Sequence, residues 1–587
     1  MKRAVILHTG SLGPRELGLS RILDFFGVPW ESIDVSRHAN MEQLSPEYAV
    51  FGSIQAVAAA LLLRHASVSR AVAIYSYADE ERGLCGQALG SLLRETTVSV
   101  EEASSDELSI EVSRMPVDLT GPMAGVKFLS RLGKKDSVLI GVPVSQESAF
   151  ATVISAGKAA IFIRFKYEGV PVFFCASSEM VDIDQPVDPG YYDVKAQFCW
   201  VVPLVMFIQF AFRDIAWRPN ELGACLIIDD PLLKLQYGFC DFTRLRDLML
   251  ENGFTTNIAF IPWNWRRTSA TARRLFGIEP GRFSVSIHGC DHTAGEFGTT
   301  SPDGLHQRAQ LAQSRMRNHQ ARTGIKHDPI MVFPQGVFSS VCPEVLKSNG
   351  YLAAVNTETV PIDSQESRTR IRDVWDVAIM AYGAFPIFTR RYPFHGLENF
   401  AFDLLLGKPC LIVAHHEIFK DGGNRLLDLI QRIGALNCSL HWRPLGDVIR
   451  RACRTRSLGP NATNIEMYGN ELVLGNPSGE VLDVSVQKRR SNLEVVSEIL
   501  SDEQPIKWTS DATRLFFDDR IDPGCEKRFR VAYQTPGQIA YVRQSLRLEA
   551  SLALRRVFCE IRDDYLTTNR FLGGIAETLN SILRKAI

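Results

Sequence analysis

The sequence predicts a multidomain α/β protein. An open α/β sheet domain comes first, a second parallel α/β unit occupies the middle, and a small β-sandwich with terminal helices closes the chain. Three observations carry this expectation. The 587 residues exceed what one hydrophobic core organises, so about two to four domains are expected. Strand-length apolar runs alternate with helical patterns through the first and middle parts. After about residue 460 the alternation gives way to short strands around Gly, Asn, Pro and Ser turns.

In the first region, "AVILH" (4–8), "YAVFGSI" (48–54) and "RAVAIYSYA" (70–78) read as strands, with helical stretches such as "IQAVAAALLLRH" between them. This predicts an open, mostly parallel sheet of Rossmann or flavodoxin-like type over 1–200. Residues 116–200 are richer in β pattern, with two strands in "AAIFIRFKYEGVPVFFCAS" around a Glu168–Gly169 turn. They are expected either to complete this domain or to form a small subdomain. The start, "MKRAVILHTGSLG", has too short an apolar run for a signal peptide and reads as the first strand. "FCWVVPLVMFIQFAF" (198–212) is short for a membrane span and carries Pro203 and Gln209, so it reads as a buried helix.

Over 218–455 the polar residues fall at the ends of apolar runs: "CLIIDD", "SVSIHG", "PIMVFPQG" and "CLIVAHH". In parallel α/β architectures, strand C-terminal ends converge on the active face, so these four ends predict one shared site. Residues 460–540, with "NELVLGNPSGEVLDVSV" and "KRFRVAYQ", predict the sandwich. In 541–587, Phe571, Ile575, Leu579 and Ile582 recur at helical spacing. That helix is expected to dock on its own protein, with peripheral membrane association or a partner helix as the alternatives.

Hydrophobic residues make up 45% and charged residues 22%, and the net charge is −1. This gives no bulk attraction toward nucleic acid, and no transmembrane segment is expected. The twelve cysteines are scattered without Cys-x-x-Cys pairs, which suggests reduced thiols and a cytoplasmic location.

Asp229 and Asp230 end an apolar strand side by side, where their charges repel. His288 and His292, four residues apart, can present both imidazoles on one side. Two histidines and a carboxylate form a common ligand set for a catalytic divalent metal, and a cation offsets the repulsion between the aspartates. One aspartate then binds metal and the other takes a proton from a water of lowered pKa. A second Asp pair, Asp518–Asp519, has no such company and reads as a solvated turn. Asp291 and Glu296 are expected either to orient the histidines or to cap a helix. His306, His319 and His327 lie in a polar helical stretch and are expected to be exposed.

In this order the motifs resemble those of the polysaccharide deacetylases of carbohydrate esterase family four and their divergent relatives. The resemblance implies a distorted (β/α) barrel over 218–455 and a metal-dependent deacetylase. "IIDD" stands at the family's Thr-Phe-Asp-Asp motif, implying Asp229 as base and Asp230 as metal ligand. His288-Gly-Cys-Asp-His292 stands at His-Ser/Thr-x-x-His. "VFPQG" keeps Pro334 and Gly336 of a groove wall, with Val332 where the family has an arginine. "DVWDV" keeps Asp373 and Asp376 with Trp375 displaced by one position. "LIVAHHEIF" ends in His415 and His416, either of which is the implied acid, His415 being favoured. Tyr237, Trp263, Asn264, Pro334, Gln335, Gly336 and Trp375 are the candidate substrate contacts, although each tryptophan of "FIPWNWRR", Trp263 and Trp265, is at least equally a core residue.

The expected activity is removal of an N-acetyl group from an acetylated aminosugar in a polysaccharide or glycan precursor. Zinc is the expected metal, with cobalt or nickel as alternatives. The expected partner is an acetylated glycan, and self-association stays open. The rival readings are an amide hydrolase on a non-sugar substrate and a glycan-binding protein without turnover.

Overall fold

The computed structural model describes residues 2–36, 47–62, 70–94, 98–103, 107–133, 136–140, 150–364, 368–491, 494–534, 546–566 and 568. The positions Phe571, Ile575, Leu579 and Ile582, read above as a helix, lie outside the described residues. Among the described residues the chain forms a mixed α/β structure built on eleven-, eight-, six- and four-stranded sheets, with one further two-stranded ladder.

The first sheet starts parallel, in the order Trp30–Asp34, Arg3–His8, Tyr48–Ser53, Ala73–Tyr77 and Val170–Cys175. It continues antiparallel through Ala159–Tyr167 and Phe150–Ala156, so the β-rich stretch after 116 extends this same sheet. The hairpin turn falls at Glu168 and Gly169, whose φ values of 46° and 90° match a turn needing positive φ at both central residues. Helix Phe198–Ala211 packs on this sheet. Phe207 is fully buried against Phe51, Tyr75 and Phe173, each ring 5.3 Å away. Residues Val194–Ala211 are long and apolar enough to cross a membrane, and 67% of them are buried in the protein core.

The central sheet is parallel along the path Ile387–Thr389, Ala353–Asn356, Ile330–Val332, Phe283–His288, Thr256–Phe260, Leu222–Asp229 and Cys410–Ala414. Leu440–Trp442 pairs parallel at the start of Leu222–Asp229. The two ends of the path nearly meet. Arg391 forms a parallel bridge to Ile412 through Arg391 N–H to Leu411 O and Val413 N–H to Arg391 O, both 2.9 Å. The strands are buried on both faces, which explains their continuous apolar runs in sequence.

Beyond the barrel, Cys453–Gly459, Ala462–Met467, Leu482–Arg489 and Arg514–Ile521 belong to the six-stranded sheet. Glu471–Gly475, Glu526–Tyr533 and Val496–Ser501 belong to the four-stranded one. One apolar cluster, including Ile465, Leu474, Val486, Ile499, Phe517 and Phe529, draws side chains from both sheets. Asp518 and Asp519 lie within a strand and not in a turn, and Asp519 accepts from Ser501 and Lys527. His319 is fully buried, because its ring bonds the Thr268 hydroxyl at 2.8 Å across the helix face. The expectation of exposure fails there.

Candidate functional site

Parallel strands place all their exits on one face of the barrel. Leu222–Asp229 reaches that face with Asp229 as its last residue. Were the strand to continue, Asp229 and Asp230 would point to opposite sides. Asp230 instead takes φ 78°, a left-handed conformation that a short polar side chain tolerates. The alternation breaks and both carboxylates line one cavity.

Asp229 is 4% exposed and held by Arg390 through two parallel hydrogen bonds of 2.7 Å, Nη1 to Oδ1 and Nη2 to Oδ2. Burial alone would raise the Asp229 carboxyl pKa. The Arg390 guanidinium and the nearby His288 outweigh burial and hold it below the ordinary value. Val332, at the position of the family arginine, is a fully buried strand residue. The cation comes from the seam that closes the barrel. Arg390 and Arg391 alternate along that edge, so Arg391 turns outward to Asp403 while Arg390 turns inward to Asp229.

Asp230 Oδ1 lies 3.1 Å from His288 Nε2 and 2.9 Å from His292 Nε2. The ligand atoms of these three residues fall within 4.8 Å of one another. The Val332 carbonyl lies 2.9 Å from His288 Nδ1 and accepts its N–H, which fixes the ring and leaves Nε2 facing the Asp230 carboxylate. His292 is aimed by a turn built on Glu296. The Glu296 carboxylate accepts from the backbone N–H groups of Cys290, Asp291 and His292 at 2.8, 3.0 and 3.1 Å. Gly289 makes room for that carboxylate. Its φ is 63°, and a Cβ there would collide with Glu296 Oε1, which explains why Ser or Thr is absent. Of the two expectations for Glu296, orienting the histidines is the one seen. Asp291 pairs with Arg315 at 2.5 Å.

The donor set fits a divalent cation. Two imidazole nitrogens and a carboxylate oxygen converge, and the site is short of positive charge. Burial alone would lower the His288 pKa, yet the Asp229 and Asp230 carboxylates raise it. The Asp230 carboxyl, which burial would raise, is held well below the ordinary range by His292 and His288.

The cavity encloses about 200 Å³. His415 lines it, as do Gln335, Gly336, Glu358, Tyr392 and Thr357. Asn356 Nδ2 donates to the carbonyls of Gly336 and Glu358 at 2.8 and 3.0 Å, joining the two loops that form this wall. Gln335 and Gly336 both have positive φ, 58° and 73°, while Pro334 is buried behind them.

Other sequence candidates lie elsewhere. His416 is buried away from the cavity, stacked on Phe239 and edge-on to Tyr237, with Nε2 3.7 Å from Asp563 Oδ1. Burial would lower its pKa, but Asp563 raises it. Tyr237 is 5% exposed and gives its hydroxyl to Asp563 at 2.5 Å. Trp263 and Asn264 sit in the turn after Thr256–Phe260, outside the cavity lining, and Asn264 is buried. Trp375 is fully buried beside Phe25 and Phe402, so it offers no face to substrate. Burying a ring of that size contributes about 4 kcal/mol, which makes a core position its natural place.

Sequence reasoning missed Arg390, Glu358 and Tyr392. It expected helices over 541–587 docked on the protein itself, and the described part, Leu546–Leu566, lies against the loops beside the site. Asp564 accepts from Gly238 N–H at 2.8 Å, Glu560 pairs with Lys234 and Arg267, and Arg556 donates to the His292 carbonyl at 3.2 Å. The lone signal available in sequence was the "TRRYP" run after an apolar stretch, which places a cation at another strand end.

No protein-family model and no curated protein matches the chain. Solved structures do resemble it. Agd3, described as a novel carbohydrate deacetylase, aligns over 90% of this chain and 98% of its own at 8% identity and TM-score 0.46. The chitin deacetylase of the fungal pathogen Colletotrichum lindemuthianum aligns over 39% of this chain and 88% of its own at 15% identity and TM-score 0.25. A family 4 carbohydrate esterase from Streptomyces lividans, in complex with acetate, aligns over 36% and 85% at 16% identity and TM-score 0.21. At such identities and TM-scores the chemistry rests on the site itself.

Proposed function

We propose that this protein is a metal-dependent deacetylase that hydrolyses the N-acetyl group of an acetylated aminosugar in a polysaccharide or glycan precursor. The observation that carries the reading is the convergence of Asp230, His288 and His292 beside a second aspartate that Arg390 keeps ionised. Asp230, His288 and His292 would hold the cation, and a site of two imidazoles and one carboxylate suits zinc, with cobalt or nickel as alternatives. When bound, such a cation lowers the pKa of a water toward about 7 and polarises a carbonyl oxygen.

Asp229 accepts the water proton. Each of its oxygens keeps a lone pair after binding Arg390, and Arg390 holds the carboxylate in one orientation. His415, in the cavity lining, delivers a proton to the leaving amine. Gln335, Glu358 and Tyr392 supply amide, carboxylate and phenol groups to the walls, which suits the hydroxyls of a sugar. The order of the sequence motifs supports the acetylated sugar in this reading, and the geometry supports hydrolysis by an activated water.

Acetate release from N-acetylglucosamine and N-acetylgalactosamine oligomers, with zinc or cobalt, tests the proposal. Chelation and Asp229→Asn should each abolish the signal. Stoichiometric metal binding without acetate from any acetylated sugar would overturn it.

A further inference from the structure

A second cavity, of about 630 Å³, opens where three parts of the chain meet. Its walls come from the end of the helix Pro14–Phe25, from Trp217, from the short helix Ile371–Trp375 with Asp376, and from the six-stranded sheet. Five arginines line it, at 372, 454, 456, 489 and 514, against four carboxylates, at 24, 373, 376 and 466.

The carboxylates are already engaged. Asp376 accepts from Tyr468, from Val377 N–H at 2.8 Å and from Arg489 Nη2 at 2.8 Å. Glu466 accepts from Arg489 Nε at 3.2 Å, Asp373 from Arg370 N–H at 2.8 Å and Asp24 from Trp30 Nε1 at 3.0 Å. Arg454 is different. It is 4% exposed, its Nη2 lies 3.4 Å from Asp376 Oδ1, and that nitrogen makes no hydrogen bond. A buried guanidinium with an unused N–H in a cavity wall is an unmet demand for an acceptor.

Two of the arginines are also held in place before any ligand arrives. Arg454 lies over the Phe25 ring at 4.4 Å and Arg456 over the Trp217 ring at 5.0 Å. Asn464 and Gln487 add neutral amides to the same wall. Arg454 has the Asp376 charge beside it, but an apolar occupant would leave the Arg454 Nη2 N–H without an acceptor. Guanidinium forks match carboxylate and phosphate geometry.

We propose that this cavity binds an oxyanion, carboxylate or phosphate, carried on a sugar-sized molecule. The volume falls within the range of small-molecule sites, about 300 to 1,000 Å³. Nothing in the assignment depends on the chemistry of the barrel.

Titration calorimetry on the full chain, loaded with zinc, tests it. The probes are glucuronate, glucose 6-phosphate, inorganic phosphate and, as neutral control, glucose. At least one anion should bind with Kd below about 1 mM, and glucose should not. Binding of glucuronate alone assigns a carboxylate ligand, and binding of the two phosphates alone a phosphate ligand. Arg456→Gln and Arg514→Gln, both on half-buried residues, should each weaken binding about tenfold without changing the Tm of the ligand-free protein. Asp229→Asn should leave binding intact. The proposal is overturned if no anion binds, if glucose binds equally, if binding survives both arginine variants unchanged, or if it is lost in Asp229→Asn.

Discussion

Two buried aspartates, Asp229 in the barrel mouth and Asp376 in the second cavity, look alike as ion pairs and differ in what surrounds them. Each is held by arginine, and each has its pKa pulled below the ordinary value, Asp229 by Arg390 and Asp376 by Arg454 and Arg489 against the opposing effect of burial. Asp376 also takes the Tyr468 hydroxyl and a backbone N–H, and it joins a helix to a sheet. Asp229 takes one arginine, and its neighbour Asp230 lies 2.9 and 3.1 Å from two imidazole nitrogens at the cavity wall. A buried Asp–Arg pair is therefore no signature of chemistry. The second carboxylate, set against two imidazole nitrogens, is what separates a candidate site from a structural joint.

The largest expected effect would confirm that separation. Asp230→Ala removes a carboxylate that would hold the proposed cation, and loss of Lewis-acid stabilisation of several kcal/mol corresponds to about 10³-fold or more in turnover. Metal analysis should show loss of bound zinc in step with acetate release. Retained zinc would place the ligands elsewhere.

Asp376→Asn should do the opposite. Breaking a buried pair from one side costs about 3 kcal/mol or more, read by urea denaturation, while the folded variant keeps its metal. The pH dependence follows from the same pair. The Asp376 carboxyl is depressed in the folded protein, so its contribution is fully present above the unfolded value of about 3.9 and is lost as pH falls through the lower folded value. Asp376→Asn should flatten the loss of stability in that acid window. An unchanged acid slope would show that Asp376 is not part of the joint.

Next in size is the histidine pair. His415→Gln should lower kcat about 10²-fold, the usual scale for a lost proton donor. His416→Gln should leave kcat within a few-fold and lower Tm, since its ring packs on Tyr237, Phe239 and Asp563. Reversed outcomes would exchange the two assignments. The smallest effect expected is that of Arg390→Lys, which keeps the charge and loses the fork. About a tenfold fall in kcat/KM with full metal occupancy should follow, because one ammonium cannot hold both Asp229 oxygens.

Much of the candidate site was legible before the fold was known. Asp229, Asp230, His288, His292 and His415 all sit at or just beyond the ends of buried strands, and an apolar run that stops on a polar residue is visible in one dimension. The same reasoning misplaced Trp375 and the second histidine. A motif spelled over five residues cannot say which side chains face inward when a short helix turns them, and Trp375 turns into the core.

The sequence alone determined the parallel α/β pattern, the strand ends and the pairing of His288 with His292, because strand and helix periodicity are local properties of the chain. Tertiary structure decided what those ends meet. Arg390 reaches Asp229 across 161 residues and Asp563 reaches Tyr237 across 326, one through closure of the barrel and the other through docking of a terminal helix. No local rule specifies such partners, since their positions depend on how whole elements pack and not on the residues beside them.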